Sequence, residues 1–308
     1  MKNNPSSLGK VYLVGAGPGA VDLITLRGAK LLAKADIVFH DALVDPEMLS
    51  LCPQAEHVAV GKRCGKLSSA QHFINKRLVD AAQKHQVIVR LKGGDPMLFG
   101  RADEEITALK QAGIKVEVVP GITAALAGAA SLQQSLTLRG VSRSVAFITL
   151  AQGTENTNQS NTDVIQLGNN QTIKPIANPN ADTLVYYMGR KDAARIAKQL
   201  IEHSAINGVP SNASIHTSDT PVHILEAVST SRERLWSSTL EKLAAGDADD
   251  WFDSRSPALI IIGEALRDGS AIPTQVEVNF TELLEGSGPE INNSLLDCQI
   301  LANSRCSA

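Results

Sequence analysis

The chain has 308 residues, 43% of them hydrophobic and 20% charged, with a formal net charge of -3, which is enough sequence to bury a sizeable core and suggests about two domains. No apolar run reaches the ~18 residues of a membrane span, and the opening MKNNPSSLGK lacks the hydrophobic stretch of a secretion signal, so a cytoplasmic protein is expected. Cysteines at 52, 64, 298 and 306 form no CxxC pair and no His-Cys ligand spacing, so neither a metal site nor a disulfide framework is indicated; the acidic average speaks against general nucleic-acid binding.

In chain order, KVYLV (10–14) reads as a first strand and is followed by GAGPGA at 15–20. Gly15-x-Gly17-x-x-Ala20 formally fits a dinucleotide fingerprint, and Asp41 lies about where the ribose-binding acid belongs. Two features oppose that reading: Pro18 has no N–H to offer a pyrophosphate, and the helix opens later, with Thr25 as its N-cap. DIVFH, HVAV, QVIVRL and IKVEVV read as further strands. Between two of them, SSAQHFINKRLVDAAQKH sets Ala70, Phe73, Ile74, Leu78 and Ala81 on one helical face, expected to be buried. This alternation predicts a largely parallel sheet covered by helices. GITAALAGAASLQQ (121–134), rich in small residues, reads as a closely packed helix.

A second α/β unit starts near Arg139, with SVAFITL, TLVYYM and PALIIIG as strands and DAARIAKQLIEH as an amphipathic helix carrying Ala193, Ile196, Ala197, Leu200 and Ile201. The expected architecture is therefore two α/β domains, 1–136 and 137–266, with a cleft between them. Residues 152–181, dense in Asn and Gln, read as a mobile surface insertion, and 267–308 as a loosely attached tail.

Charge is uneven. From Gly61 to Arg101 there are nine Lys or Arg against two acids, Asp80 and Asp95, a local excess of +7 suited to a polyanion. Within this segment RLKGGDPMLFGRADEE (90–105) follows a strand; in open α/β sheets ligands sit outside the carboxyl ends of strands, where Gly93-Gly94 permits close backbone approach and Asp95-Pro96 fixes a turn.

VYLVGAGPGAVDLITLRG, Asp41-Ala-Leu-Val, VGKR at 60–63, VRLKGGDPMLFGR at 89–101, VVPGITAA at 118–125, LTLR at 136–139, YYMGR at 186–190 and PALIIIG at 257–263 together resemble the tetrapyrrole methylases that use S-adenosylmethionine, in the branch acting on uroporphyrinogen III. That resemblance implies two α/β domains with the active site between them and methylation of carbons 2 and 7 to give precorrin-2, on the way to siroheme or cobalamin. It implies no metal, and a homodimer. Methylation of another tetrapyrrole, or binding without catalysis, are the alternatives. Carried over by position, Pro18, Gly93, Gly94, Asp95, Leu98, Thr123, Ala124, Met188 and Asp219 would face the methyl donor. Asp41 and Lys62 would have acid and base roles, and Arg63, Arg101, Glu104 and Arg139 would bind substrate, the arginines through its carboxylates. The chain departs from the family pattern at Leu138, where a His is common, at Met97, at Ala102-Asp103, and at Ser218-Asp219-Thr220, where a Gly-Thr turn is usual.

Overall fold

Two five-stranded sheets organise the chain. A computed structural model describes residues 8–60, 67–150, 165–167, 171–173, 180–206 and 216–267. The first half runs β1 (Lys10–Gly15), α1 (Leu26–Leu32), β2 (Ile37–His40), β3 (Glu56–Ala59), α2 (Leu67–Ala82), β4 (Val87–Lys92), α3 (Ala102–Gln111), β5 (Val116–Val119) and α4 (Ala124–Leu132). Its sheet has the order β3-β2-β4-β1-β5 and is parallel throughout, with Gly15 opposite Lys92 and His40 opposite Leu91. Parallel strands end on one side, so this register brings GAGPGA, Asp41, the 93–101 loop and the Pro120–Thr123 segment to a single edge.

The helices follow local chemistry. Thr25 caps α1 by accepting the Gly28 N–H at 3.1 Å. On α2 the buried stripe is Ile74, Leu78, Ala81 and Ala82, covering the sheet together with Ala102 and Leu109 of α3. Phe73, expected in that stripe, is instead 53% exposed, one position off the apolar face; the Arg77 guanidinium lies over its ring and that of Phe39, 5.6 Å from each centroid. Ala70 has no described side chain.

The second half comprises β6 (Val145–Thr149), β7 (Ile165–Leu167), β8 (Gln171–Ile173), β9 (Thr183–Tyr187), α5 (Ala193–Ile206), β10 (Pro221–Glu226), β11 (Arg234–Thr239), α6 (Leu240–Ala245) and β12 (Ala258–Gly263). The order β11-β10-β12-β9-β6 mixes one parallel pair, β6 with β9, with antiparallel neighbours. The Asn/Gln-rich stretch contains the antiparallel pair β7 and β8. The tail beyond Arg267 lies outside the described residues.

α5 and α6 cover one face of the second sheet through Ile196, Leu200, Leu240 and Leu243. α4, which precedes position 137 in the chain, covers the other face: Ala125 and Ala127 pack in a cluster with Val185, Leu225, Leu259 and Ile261. Gly128 permits this approach, since a Cβ there would stand 3.2 Å from the Leu259 side chain. The helix leaving the first sheet thus carries its loop, Gly121 to Thr123, against the second.

Candidate active site

Three glycine-bearing loops meet backbone to backbone at the carboxyl edge of the first sheet. Gly17 and Gly94 exchange hydrogen bonds, Gly94 N–H to Gly17 O at 2.7 Å and the reverse at 3.2 Å. A Cβ on Gly15 would fall 2.6 Å from Gly121 Cα, and one on Gly121 only 2.3 Å from Gly94 O, closer than any side chain tolerates. The glycines of GAGPGA therefore serve close packing of loops. Asp95 ties the arrangement: Oδ1 accepts the Met97 N–H at 2.8 Å and Oδ2 the Gly121 N–H at 2.9 Å. The first loop also reaches the second half, where Ala20 N–H donates to Ser229 Oγ at 3.0 Å.

These loops form one wall of a cleft of ≈ 610 Å³. Of the residues expected at the donor, Pro18, Gly93, Gly94, Asp95, Leu98, Thr123, Ala124 and Met188 all line it. Gly94, at φ +67°, would place a Cβ with no protein atom within 4 Å, so its missing side chain leaves open space in front of the loop. Met188, at φ 57° and 56% exposed, faces the same cleft from the end of β9. Tyr187 beside it packs its ring 5.2 Å from that of Phe99. Burial pushes the Tyr187 phenol up, and Thr123 and the Ala125 N–H partly offset this.

Asp219 is not among the cleft-lining residues. Its carboxylate accepts the Thr217 hydroxyl at 2.5 Å and pairs with Arg267 at 3.3 Å, contacts that hold it below the usual carboxylate range, the Thr217 bond foremost.

Asp41 lines the cleft just beyond β2. Its Oδ1 accepts from Arg90 Nη2 at 2.5 Å, and Arg90 Nε in turn donates to Glu105 Oε1 at 3.1 Å. Lys92 Nζ and Gln71 Nε2 reach that same Glu105 oxygen at 3.1 and 3.2 Å. Arg90, Lys92 and Glu105 are almost fully buried. Burial first, and then the Arg90 cation, push the Lys92 ammonium below its ordinary range. None of these three was assigned a role from the sequence. The available signal was Arg and Lys two apart in an otherwise apolar central strand: period-two spacing puts both on one face, and buried charges require partners.

Four of the nine cations in residues 61–101 have carboxylate partners. Arg90 and Lys92 meet Asp41 and Glu105, Lys76 pairs with Asp80 at 2.9 Å, and Arg101 grips Glu104 through Nε at 2.5 Å and Nη2 at 2.7 Å. Arg101 lines the cleft; Glu104 does not and acts on it through Arg101. Arg139 is exposed in the Leu138–Ser142 turn, outside the cleft lining. Lys62 and Arg63 lie outside the described residues. The opposite wall adds cations that sequence reasoning passed over: Arg190, whose Nη1 donates to the carbonyls of Asp253 and Ser256 at 2.6 and 3.4 Å, and the exposed Lys191 and Arg255.

Comparison with known proteins places the chain. Residues 10–244 match the model of the tetrapyrrole (corrin/porphyrin) methylases. A siroheme synthase of Zymomonas mobilis is 40% identical over 264 residues, covering 85% of this chain and 50% of that protein, so the chain spans about half the length of the curated relatives it matches. The uroporphyrin-III C-methyl transferase of Thermus thermophilus, solved in complex with S-adenyl homocysteine, is 36% identical, with a TM-score of 0.64 over 84% of this chain and 94% of that one. A cobalt precorrin-4 methyltransferase matches at 25% identity and a TM-score of 0.61, over 84% of this chain and 96% of its own. The chain belongs to the tetrapyrrole (corrin/porphyrin) methylases.

Proposed function

We propose that the chain transfers methyl groups from S-adenosylmethionine to carbons 2 and 7 of uroporphyrinogen III, giving precorrin-2. The carrying observation is the meeting in one cleft of the open Gly93-Gly94 wall, Met188, Asp41 and Arg101. The likeness to the Thermus thermophilus enzyme supports the same choice of donor and substrate.

The residues present fit the donor. Space in front of Gly94 accepts its bulk, Pro18, Leu98 and Met188 supply apolar surface for an adenosine and a thioether-like centre, and Thr123-Ala124 offer backbone at the head of α4. Bound S-adenosylmethionine supplies an electrophilic methyl on a sulfonium. The protein's work is alignment of the electron-rich pyrrole carbon with that methyl, followed by removal of a proton from the methylated ring. Asp41 suits that proton removal, because Arg90 holds Oδ1 and leaves Oδ2 as the oxygen that takes the proton. Lys62 is proposed as the second acid/base group.

Uroporphyrinogen III carries eight carboxylates around an apolar macrocycle. Arg101 on one wall and Lys191 and Arg255 on the other supply cations, while Leu43, Phe99 and Met188 present exposed apolar surface. Arg63 and Arg139 remain proposed contacts by position, and Glu104 orients Arg101. A homodimer working in the cytoplasm completes the proposal; among the described residues no helix is long and apolar enough to cross a membrane.

The test is anaerobic incubation with S-adenosylmethionine and uroporphyrinogen III, reading product mass and S-adenosylhomocysteine together. A gain of two methyl groups is the expected result. Transfer only to a cobalt-precorrin would favour a second reading, supported by the 25% identical cobalt precorrin-4 methyltransferase, while donor binding without transfer to any tetrapyrrole would reject both.

A further inference from the structure

Four charged groups, two on β4 and one each from α3 and the end of β2, form one chain of contacts: Asp41, Arg90, Glu105 and Lys92. Two positive and two negative charges balance. Arg90 is immobilised by acceptors on several sides, namely Glu105 Oε1 at 3.1 Å, Asp41 Oδ1 at 2.5 Å and the Leu91 carbonyl at 3.1 Å. Glu105 sits in the first turn of α3, where the helix dipole favours an anion, and it is fully buried. Asp41 is the member that reaches solvent, with 28% of its side chain exposed against 4% or less for the other three.

Such a cluster is costly in the middle of a parallel sheet. Apolar residues of similar volume serve stability as well or better, because each buried charge loses its hydration. Packing alone therefore does not account for it, whereas its one exposed end lies in the cleft. We propose that Arg90 and Glu105 are positioning residues for Asp41: Arg90 fixes the carboxylate so that Oδ2 presents to the reacting ring, and Glu105, with Lys92, fixes Arg90. This rests on the reading of Asp41 as proton acceptor.

The experiment is a double-mutant cycle on the full chain, with Asp41→Asn, Arg90→Lys and the double variant, read as kcat and KM for methyl transfer. Binding of S-adenosylhomocysteine is measured by calorimetry on each. Arg90→Lys keeps the charge and loses the fork that reaches both carboxylates. It should lower kcat about 10- to 100-fold, the scale of an ångström-sized misplacement, with KM and donor affinity within about two-fold. In the Asp41→Asn background the same change should cost less than about two-fold, because its target is gone. Losses that multiply in the double variant, or that fall on KM or donor binding, overturn the proposal. Should Arg90→Lys not fold, Glu105→Gln replaces it in the same cycle, with the same expectations and the same overturning results. If the unaltered chain transfers no methyl to any tetrapyrrole, the functional reading fails by itself. The crystal structure of the variant then decides the positioning claim: a displaced Asp41 carboxylate sustains it, an unmoved one overturns it.

Discussion

The Tyr187 hydroxyl stands 2.6 Å from Thr123 Oγ1 and accepts the Ala125 N–H at 3.2 Å, so a side chain from the second sheet caps the helix that leaves the first. Thr123 makes no side-chain cap of its own, and the Ala125 N–H is one of the orphan donors of a helix start. Tyr187→Phe removes both contacts. A loss of about 1–3 kcal/mol is expected, the cost of a buried polar group left unpaired, with weaker S-adenosylhomocysteine binding because Thr123 and Ala124 line the cleft. Chemical denaturation and calorimetry check this, and unchanged values in both would remove the cap from the account of the site.

Gly121→Ala should be felt at the donor site, because its Cβ would meet Gly94 O at 2.3 Å and force the glycine loops apart. Overpacking of this kind costs about 1–3 kcal/mol. Gly113→Ala is the control. It sits at φ +70° with nothing within 4 Å, so it bears about 1–2 kcal/mol of backbone strain alone. Both variants should melt earlier, but Gly121→Ala alone should lose donor affinity; equal affinities would show that the loop contact does not shape the site.

Lys10, Arg27 and Glu117 join β1, α1 and β5, with Lys10 Nζ 2.6 Å from Glu117 Oε2 and Arg27 on the other oxygen. The Lys10 hydrogen bond, and then the two cations, hold the Glu117 carboxyl below its usual range despite an opposing contribution from burial. A carboxyl depressed in the folded state contributes stability above its unfolded pKa of ~4.3, and that contribution fades as pH falls through the lower folded value. Glu117→Gln should therefore lower the melting temperature at pH 7 and have progressively less effect on acidification. Exposed pairs are worth about 0–1 kcal/mol, so the difference is small, and a gap that widened toward low pH would contradict the sign.

How much of this was legible in the sequence depends on whether a residue's partner lay nearby. Apolar runs such as KVYLV and PALIIIG announced their strands, and Thr25 announced its helix. β10 did not stand out, although all six of its residues are buried: His223 and Glu226 interrupt its pattern, and their partners, Ser237 at 2.8 Å and Arg234 at 2.8 Å, lie on a neighbouring strand. α3 begins with ADEE, which reads as surface charge until Glu105 is seen to face inward on Arg90 and Lys92. For the same reason the basic excess of residues 61–101 suggested an anion-binding surface, whereas two of its cations are interior. The motif residues that line the cleft, being backbone loops at strand ends, stood out in the sequence; Asp219, paired with the distant Arg267, does not line it.

The remaining cations bear on substrate binding. With Arg90 and Lys92 committed to Asp41 and Glu105, Lys191 and Arg255 are exposed charges on the cleft's second wall. The loop carrying Arg255 is held in place by Glu226, which accepts the Asp253 N–H at 2.9 Å, and by Arg190 on the Asp253 carbonyl. Lys191→Ala and Arg255→Ala should each weaken binding of a polycarboxylate tetrapyrrole by up to about five-fold, the effect of an exposed ion pair worth about 0.2–1 kcal/mol. The effect should shrink as salt rises, and S-adenosylhomocysteine binding should not change. Arg139→Ala, on an exposed turn outside the cleft, should change substrate affinity less than either. Titration of each variant with a tetrapyrrole polycarboxylate at two ionic strengths checks the order, and a larger loss at Arg139 than at Arg255 would move the carboxylate contacts to the Leu138–Ser142 turn.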